Sequence, residues 1–399
     1  MKKQLKPSFY DEFRCVANSC ECSCCEKWRI LIDKKTYKKY MSCNGKNKFK
    51  NYIEINTDRK STADYAKIKL NKEEKCSFLD EEGLCRIHSE FGNDMLSNVC
   101  RSYPRENIKI GNLYEHKLSI SCPEVAKIAL LNKKKYSFIL DDVDKVDEEF
   151  LSKITFKEHY FDLLWEVRSF SIEIIQSRNI EFWKRIMLLG LFCKEIDKHI
   201  KNQDEVTNII NKYKIMINDR EVLNSLENIT LNNERKLNLV IQFIKNRTKY
   251  VLSNEDFIDL CNDLENTLGF SETASIDSII LNYEKLENEE YKKFLISNSY
   301  IFENYLVNTI YKEFVFFYET MSFYEIFVKI IVQYSIVRFL LLGQLAKKKE
   351  DFNDNDIIRI FYSFSRSIEH SPVSMKDIIQ GLKQKGYDKL NYMSILIRE

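Results

Sequence analysis

The stretch Cys15-Val16-Ala17-Asn18-Ser19-Cys20-Glu21-Cys22-Ser23-Cys24-Cys25-Glu26-Lys27-Trp28 places five cysteines within eleven residues. Single cysteines follow at Cys43, Cys76, Cys85, Cys100 and Cys122, and the remaining 277 residues hold only Cys193 and Cys261. Thiols this dense either pair as disulfides or bind metal, and the redox compartment decides which. Lys2, Lys3, Lys6, Asp11, Glu12 and Arg14 stand where a secretory leader would have its apolar core. The expectation is a cytoplasmic chain with reduced thiols and a metal-binding head.

Soft thiolate ligands narrow the metal to zinc or an iron–sulfur cluster. Structural zinc sites usually come as two close ligand pairs. Here the later thiols are scattered singly, an arrangement that suits a cluster of the 4Fe-4S kind, whose ligands the fold gathers from separate segments. Cys85-Arg86-Ile87-His88 keeps a mixed Cys/His zinc site open, and buried unliganded thiols are the bland alternative. Adjacent Cys24 and Cys25 are expected to diverge, so that both rarely bind one metal. Cys22, Cys43, Cys193 and Cys261 read as small hydrophobes in the packing.

Outward from the thiols, the head runs to about residue 135. Lys75 to Leu79 and Leu84 to His88 flank Asp80-Glu81-Glu82-Gly83 as a four-residue hairpin would, with Cys76 and Phe78 sharing a face with Cys85 and Ile87. Asn93 to Ser102 reads as a short helix that stops before Pro104, with Cys100 in its last turn. Cys122-Pro123-Glu124 reads as a helix start, where the dipole favours a thiolate. The head's ligand-rich, core-poor composition predicts that it needs metal to fold.

Residues 136–399 carry the helical period, in segments starting near Tyr160, Glu181, Glu205, Asn233, Asn254 and Asn304, from Tyr324 to Leu345, and after a cap at Asp354. The fold class is therefore mainly α: a cysteine-rich metal-binding α+β head (1–135) followed by an irregular helical bundle (136–399). Nine Gly and four Pro leave few turn-makers for a many-stranded sheet. With 44% apolar and 31% charged residues the chain reads as globular. Its most apolar stretch, Ile330 to Leu342, is broken by Gln333 and Arg338 and is shorter than the roughly 18 residues of a membrane span. No membrane segment is expected.

Charge is uneven. Residues 1–135 carry 28 Lys/Arg against 18 Asp/Glu, a balance of +10, and the rest carries 34 against 42, or −8. A basic head allows a metal-dependent sensor or nucleic-acid-binding module as the alternative function. A solvated Lys-rich surface explains the excess more simply, and the body lacks a dense basic stripe with interleaved aromatics, so a nucleic-acid partner is disfavoured.

The segments Cys15 to Cys20, Cys24-Cys25-Glu26-Lys27-Trp28, Ile32-Asp33 and Thr36-Tyr37 resemble the opening of bacterial flagellin lysine-N-methylases, within the wider group with a CxxCxxCC-type zinc- or iron-chelating region. The likeness continues through Cys76 to Leu79, Gly83 to Ile87, Cys100 to Arg105 and Ser121 to Glu124, and touches Tyr362 to Arg366 with Glu369 and His370. The resemblance implies methyl transfer from S-adenosylmethionine to flagellin lysine ε-amines, in the cytoplasm before export. It also implies an iron–sulfur or zinc centre drawn from Cys15, Cys20, Cys24, Cys25, Cys76, Cys85, Cys100 and Cys122. Cys22 departs from the family spacing. No two glycines form a GxG turn, and the C-x3-C-x2-C radical signature fails at Lys27. Arg366, Glu369 and His370 would share one helical face, as a site wall or as a charged last turn.

Overall fold

A parallel pairing of the first strand with a later hairpin organises the N-terminal part of the computed structural model. The model describes all residues except 1, 27–29, 44–45, 60, 144–150, 155–157, 230–231, 246–253, 272, 318–320, 370–371 and 399. Trp28, Lys27 and His370 lie outside the described residues. The chain divides into two units, residues 1–125 with 139–153, and residues 126–138 with 154–399.

In the first unit, β1 (Lys2–Pro7) runs parallel to β6 (Leu113–Leu118), which pairs antiparallel with β5 (Arg105–Ile110). The β5–β6 turn is Gly111-Asn112, closed by Ile110 opposite Leu113; Gly111 takes a φ of 57°, which glycine adopts without strain. The edge strands β7 (Phe138–Val143) and β8 (Leu151–Ile154) complete the order β7-β1-β6-β5-β8. A second sheet, β2-β4-β3, joins Leu31–Ile32, Ala66–Ile68 and Ile53–Ile55. The paucity of Gly and Pro thus did not prevent two sheets. Short strands joined by helices and polar turns need few glycines.

Around the small sheet lie α1 (Lys34–Ser42), α2 (Lys46–Tyr52), α3 (Arg86–Phe91) and α4 (Asn98–Ser102). Asp33 caps α1 by accepting the Thr36 N–H at 2.9 Å. Ile30, Ile32, Tyr40, Phe49, Ile53, Ile68, Phe78 and Ile87 are buried together, with Tyr40 stacked on Phe49 at 4.3 Å. The head therefore has an apolar core of its own, and the core-poor expectation is corrected. Single apolar residues on short elements converge there, a pattern that has no long periodic face in the sequence. Helix α5 (Pro123–Leu130) starts at the proline, as expected.

The second unit is helical: α6 (Glu158–Ile175), α7 (Phe182–His199), α8 (Gln203–Met216), α9 (Arg220–Ser225), α10 (Asn233–Lys245), α11 (Glu255–Leu268), α12 (Ile276–Leu286), α13 (Lys292–Glu313), α14 (Phe323–Lys348), α15 (Asp354–Phe364), α16 (Pro372–Gln384) and α17 (Leu390–Ile397). The helix expected near Asn304 begins twelve residues earlier, at Lys292. The cap of α15 is Asn353, in a reciprocal capping box with Asp356, and Asp354 is the first helical residue. Pro372 is the first residue of α16, the helical position that proline favours.

Helix α14 is the hub, packing against α7, α11, α13, α15, α16 and α17. Its length and apolarity are those of a membrane span, longer than the sequence reading allowed, yet 94% of its most apolar window is buried inside the fold. Gly343 lets it approach α11 closely, since a Cβ there would stand 2.9 Å from the Leu264 Cα. Its start is fixed by a Ser322–Glu325 capping box and by Asp197, which accepts the Phe323 and Tyr324 N–H groups at 3.0 and 2.9 Å.

Several buried charges of this unit are held in ion pairs. Glu303 on α13, 1% exposed, accepts from Arg178 at 2.8–3.0 Å and from Arg185 at 2.9 Å. Arg185 also donates to the Ile180 and Ile175 carbonyls at 2.7 and 3.1 Å. Removing one partner of such a set strands the rest without compensation. Glu303→Ala should therefore lower unfolding stability by about 3–5 kcal/mol, read as the shift in denaturant midpoint. Lys212→Ala, which breaks an exposed pair with Glu195, should shift it by about 0.5 kcal/mol or less. Equal effects of the two would refute this account.

Candidate functional site

Four segments of the first unit bring thiols together. Cys24 and Cys25 sit in a turn where the Cys25 N–H donates to Ser23 Oγ at 3.1 Å. The Cys25 carbonyl accepts the Cys76 N–H at 2.8 Å, and Glu26 bridges antiparallel to Lys75, so the first thiol run is laid against the second. Cys85 stands just before α3 without a side-chain capping bond, and Cys100 lies in α4 with its N–H donating to the Ser97 Oγ at 3.4 Å. Cys25, Cys85 and Cys100 pack with buried Cys76 against the aromatic core. Cys24 is near enough to Cys25 to be the largest influence on its thiol, so the two side chains do not diverge as expected.

The Asp80–Gly83 turn forms as expected, with the Asp80 carboxylate accepting the Glu82 and Leu84 N–H groups at 3.0 and 2.8 Å. The pairing, however, joins Leu79 to Cys85, and the second arm becomes helix α3 instead of a strand. Arg86 explains part of this: its backbone N–H reaches the Phe78 carbonyl and its guanidinium reaches the Ser77 carbonyl, 2.8 and 2.7 Å away, which closes the hairpin after one residue. Asn93 to Ser102 is likewise not one helix. A 3₁₀ turn over Asn93–Met95 precedes α4, and Ser97 between them caps α4. Tyr103, before Pro104, is extended with ψ at 135°.

Electrostatics record how near the thiols are. Burial, opposed by the Ser97 hydroxyl and reinforced by Cys76, Cys85 and Cys24, pushes the Cys100 thiol up to about 12. Burial chiefly, with Cys85 and Cys24 adding, raises Cys76 to about 11. The Cys24 hydrogen bond, then burial and the charges of Cys100 and Cys76, push Cys25 well above the usual thiol range. Tyr40, which sequence reasoning missed, adjoins the group. Its hydroxyl donates to the Met95 carbonyl at 2.6 Å, and burial followed by Cys100 and Cys85 raises its phenol. No spacing signal in the sequence marks that tyrosine.

Cys122 stands just before α5 and is 8% exposed. Burial raises its thiol to about 11, overriding the Val125 and Glu124 N–H groups that act in the opposite sense, and Cys20 and Cys24 add to the rise. The expected net stabilisation of a thiolate by the helix start is corrected: desolvation outweighs the dipole. Cys20 donates to the Cys22 carbonyl at 3.3 Å. Cys15 is exposed, its Sγ accepting the Ala17 N–H at 3.5 Å, and nothing among the described residues draws it to the other thiols. Cys43 closes α1 by donating to the Tyr40 carbonyl at 3.3 Å, and Cys193 and Cys261 are fully buried in α7 and α11.

The donors suit thiolate-bound zinc or an iron–sulfur cluster in chemistry. Among the described residues, no three His, Cys, Asp or Glu side chains stand close enough to hold an ion as they are. A surface cleft lined by Glu26, Tyr52, Lys75, Cys76, Leu79 and Asp80 brings solvent up to Cys76.

The C-terminal segment forms a second polar group. After α15 the chain widens into a π-turn, Ser365–Glu369, so Arg366 and Glu369 do not follow the α-helical face expected of them. Glu369 accepts from the Tyr305 hydroxyl at 3.0 Å and from the Ser365 hydroxyl at 2.8 Å. Asn254, the cap of α11, donates to Ser367 Oγ at 2.8 Å and to the Ser363 carbonyl at 3.3 Å. Burial, then the Glu369 charge, pushes the Tyr305 phenol well above its usual range, so it remains a donor. Arg366 lies over the Tyr362 ring, 5.3 Å from its centroid.

Residues 168–396 match the FliB lysine N-methylase C-terminal domain, a match that lies within the second unit and covers more than half of the chain. The flagellar biosynthetic protein FliU of Salmonella muenchen is 32% identical over 143 residues, covering 33% of this chain and 84% of that protein. The lysine-N-methylases of Salmonella typhimurium strain LT2 and Salmonella choleraesuis strain SC-B67 are 34% and 33% identical over 126 and 124 residues, each match covering 30% of both chains. The chain thus matches less than a third of the length of those two methylases. No solved structure matches it.

The packing divides the cysteines into a convergent group and an inert one. Replacing Cys76 or Cys85 singly by Ala should at least halve the iron or zinc that co-purifies under anaerobic conditions, whereas Cys193→Ala and Cys261→Ala should keep it within about twofold. Metal analysis of the purified variants decides. Loss of metal from Cys193→Ala with retention in Cys85→Ala would reverse the assignment.

Proposed function

This chain belongs to the FliB lysine N-methylase family, and from that membership we propose that it is a protein-lysine N-methyltransferase that moves methyl groups from S-adenosylmethionine to flagellin lysine ε-amines. The observation that carries this reading is the family match over residues 168–396. The flagellar name of one relative favours a flagellar protein as substrate, and the reaction would take place in the cytoplasm before export.

A lysine amine has a pKa of about 10.4, so its nucleophilic neutral form costs roughly 4–5 kcal/mol at pH 7. The chain must bind the amine, strip it of water and a proton, and align it with the methyl group. The co-substrate supplies an electrophilic methyl on a sulfonium. Aromatic side chains are abundant in the second unit, but Tyr305, Phe361, Phe302 and Tyr334, which pack edge to face or tilted at 5.1–6.1 Å, are fully buried and serve as core.

In the first unit Cys24, Cys25, Cys76, Cys85 and Cys100 would hold an iron–sulfur cluster or zinc, with Cys20 and Cys122 as further donors. A bound metal supplies the positive charge that lets these desolvated thiols ionise and cross-links the segments that carry them. The convergence of the thiols supports that role.

The decisive experiment mixes anaerobically purified protein, its metal content measured, with unmodified flagellin and methyl-labelled S-adenosylmethionine. Label is expected on flagellin lysines, located by peptide mass spectrometry. A metal-replete preparation that labels no flagellin lysine would overturn the reading. Binding to DNA or RNA that falls steeply with salt would then favour the sensor alternative.

A further inference from the structure

Resting on the methylase reading above, we propose that Glu369, held by Tyr305 and Ser365, is the carboxylate that receives the ε-ammonium of the acceptor lysine. The deeply buried carboxylates of this unit each meet a cation: Glu303 meets Arg178 and Arg185, Glu287 meets Arg338, and Asp356 meets Lys348. Glu369 is half-buried, and among the described residues its two oxygens meet only neutral hydroxyls, Tyr305 at 3.0 Å and Ser365 at 2.8 Å. Two neutral donors orient a carboxylate without cancelling its charge, and a carboxylate withdrawn from water without a counter-charge is costly.

Position adds to the cost. Glu369 ends the helical run that begins at Asp354, where the helix dipole disfavours a negative charge. A carboxylate kept there only to finish a helix would be better replaced by a neutral or basic residue. The π-turn that carries it is an irregularity of the kind frequent at functional sites, and it sets Ser365 and Glu369 to share one hydrogen bond beneath Tyr305. Of about four lone-pair sites on the carboxylate, two are occupied, which leaves acceptors on the solvent side for an ammonium. Beneath the carboxylate the Tyr305 and Phe361 rings, 5.1 Å apart, are fully buried and hold the Tyr305 hydroxyl in place. A lysine side chain reaches neutral solution as the cation, so a fixed, partly exposed carboxylate is the chemistry that recognises it.

The test compares binding of a synthetic single-lysine flagellin peptide with its norleucine analogue, which keeps the chain and lacks the charge. Glu369→Gln should weaken binding of the lysine peptide at least about tenfold and leave the norleucine peptide unchanged. Glu369→Asp should restore part of the loss, and Ser365→Ala should weaken lysine binding severalfold. In turnover, Glu369→Gln should raise KM for the lysine peptide. Were Glu369→Gln to misfold, Ser365→Ala and Tyr305→Phe would carry the comparison. Equal lysine-peptide affinity in wild type and in folded Glu369→Gln would overturn the proposal while leaving the methylase reading intact. A loss of lysine binding in that variant, together with no methyl transfer by wild type, would uphold the cation site and sink the reaction.

Discussion

Arg338 sets the terms for the second unit. It lies in the middle of α14, is 2% exposed, and cannot shed its charge. The fold answers with Glu287, with the Leu396 carbonyl at 3.2 Å, and with the Tyr291 ring 4.8 Å from the guanidinium. Those partners come from the π-turn Glu287–Tyr291 and from the last helix, α17. One buried guanidinium therefore fixes how the central helix, the run into α13 and the C-terminal end meet. The helix around it is apolar enough to cross a bilayer, and Arg338 with Gln333 marks it instead as the interior of a packed bundle.

The same constraint, that buried charge needs a partner, governs the thiols of the first unit. Burial first, and then the charges of neighbouring thiols, raise the thiols of Cys76, Cys100 and Cys122. A cation among them would reverse the balance, so loading would release protons and strengthen with rising pH. Because Cys76 is also part of the aromatic core, a metal held there would share its residues with the packing.

Much of this was legible in the sequence, and the errors share a physical pattern. The helical period found α6, α7, α10, α11 and α14 because long elements repeat their apolar face several times. The starts at Glu181, Asn233 and Asn254 lie at or within one residue of the caps or first helical residues. The head was harder. Its elements are two to nine residues long, so one side-chain bond can decide between strand and helix, as Arg86 does after Cys85. The dense cysteine run did signal a gathering of thiols. Which thiols meet depends on the Cys25–Cys76 backbone bond, a contact between residues 51 apart in sequence that no local pattern encodes.

The π-turns show a different kind of gap. An inserted residue shifts every later side chain around the helix by about 100°, so spacing rules that assume 3.6 residues per turn misplace every residue beyond the insertion. Regular spacing puts Glu369 on one face with Arg366, and the turn gives it Tyr305 from α13 as a partner instead. Nothing in the spacing marks Glu287 in the other π-turn, yet it neutralises Arg338. Both irregular turns thus carry a carboxylate inward, one against a guanidinium of the chain itself and one against two hydroxyls. A helix that breaks its own hydrogen-bond ladder to turn a carboxylate inward gives up regular bonding for that placement. In the first case the return is a buried ion pair; in the second it is a carboxylate held by two neutral hydroxyls, the site proposed for the acceptor lysine.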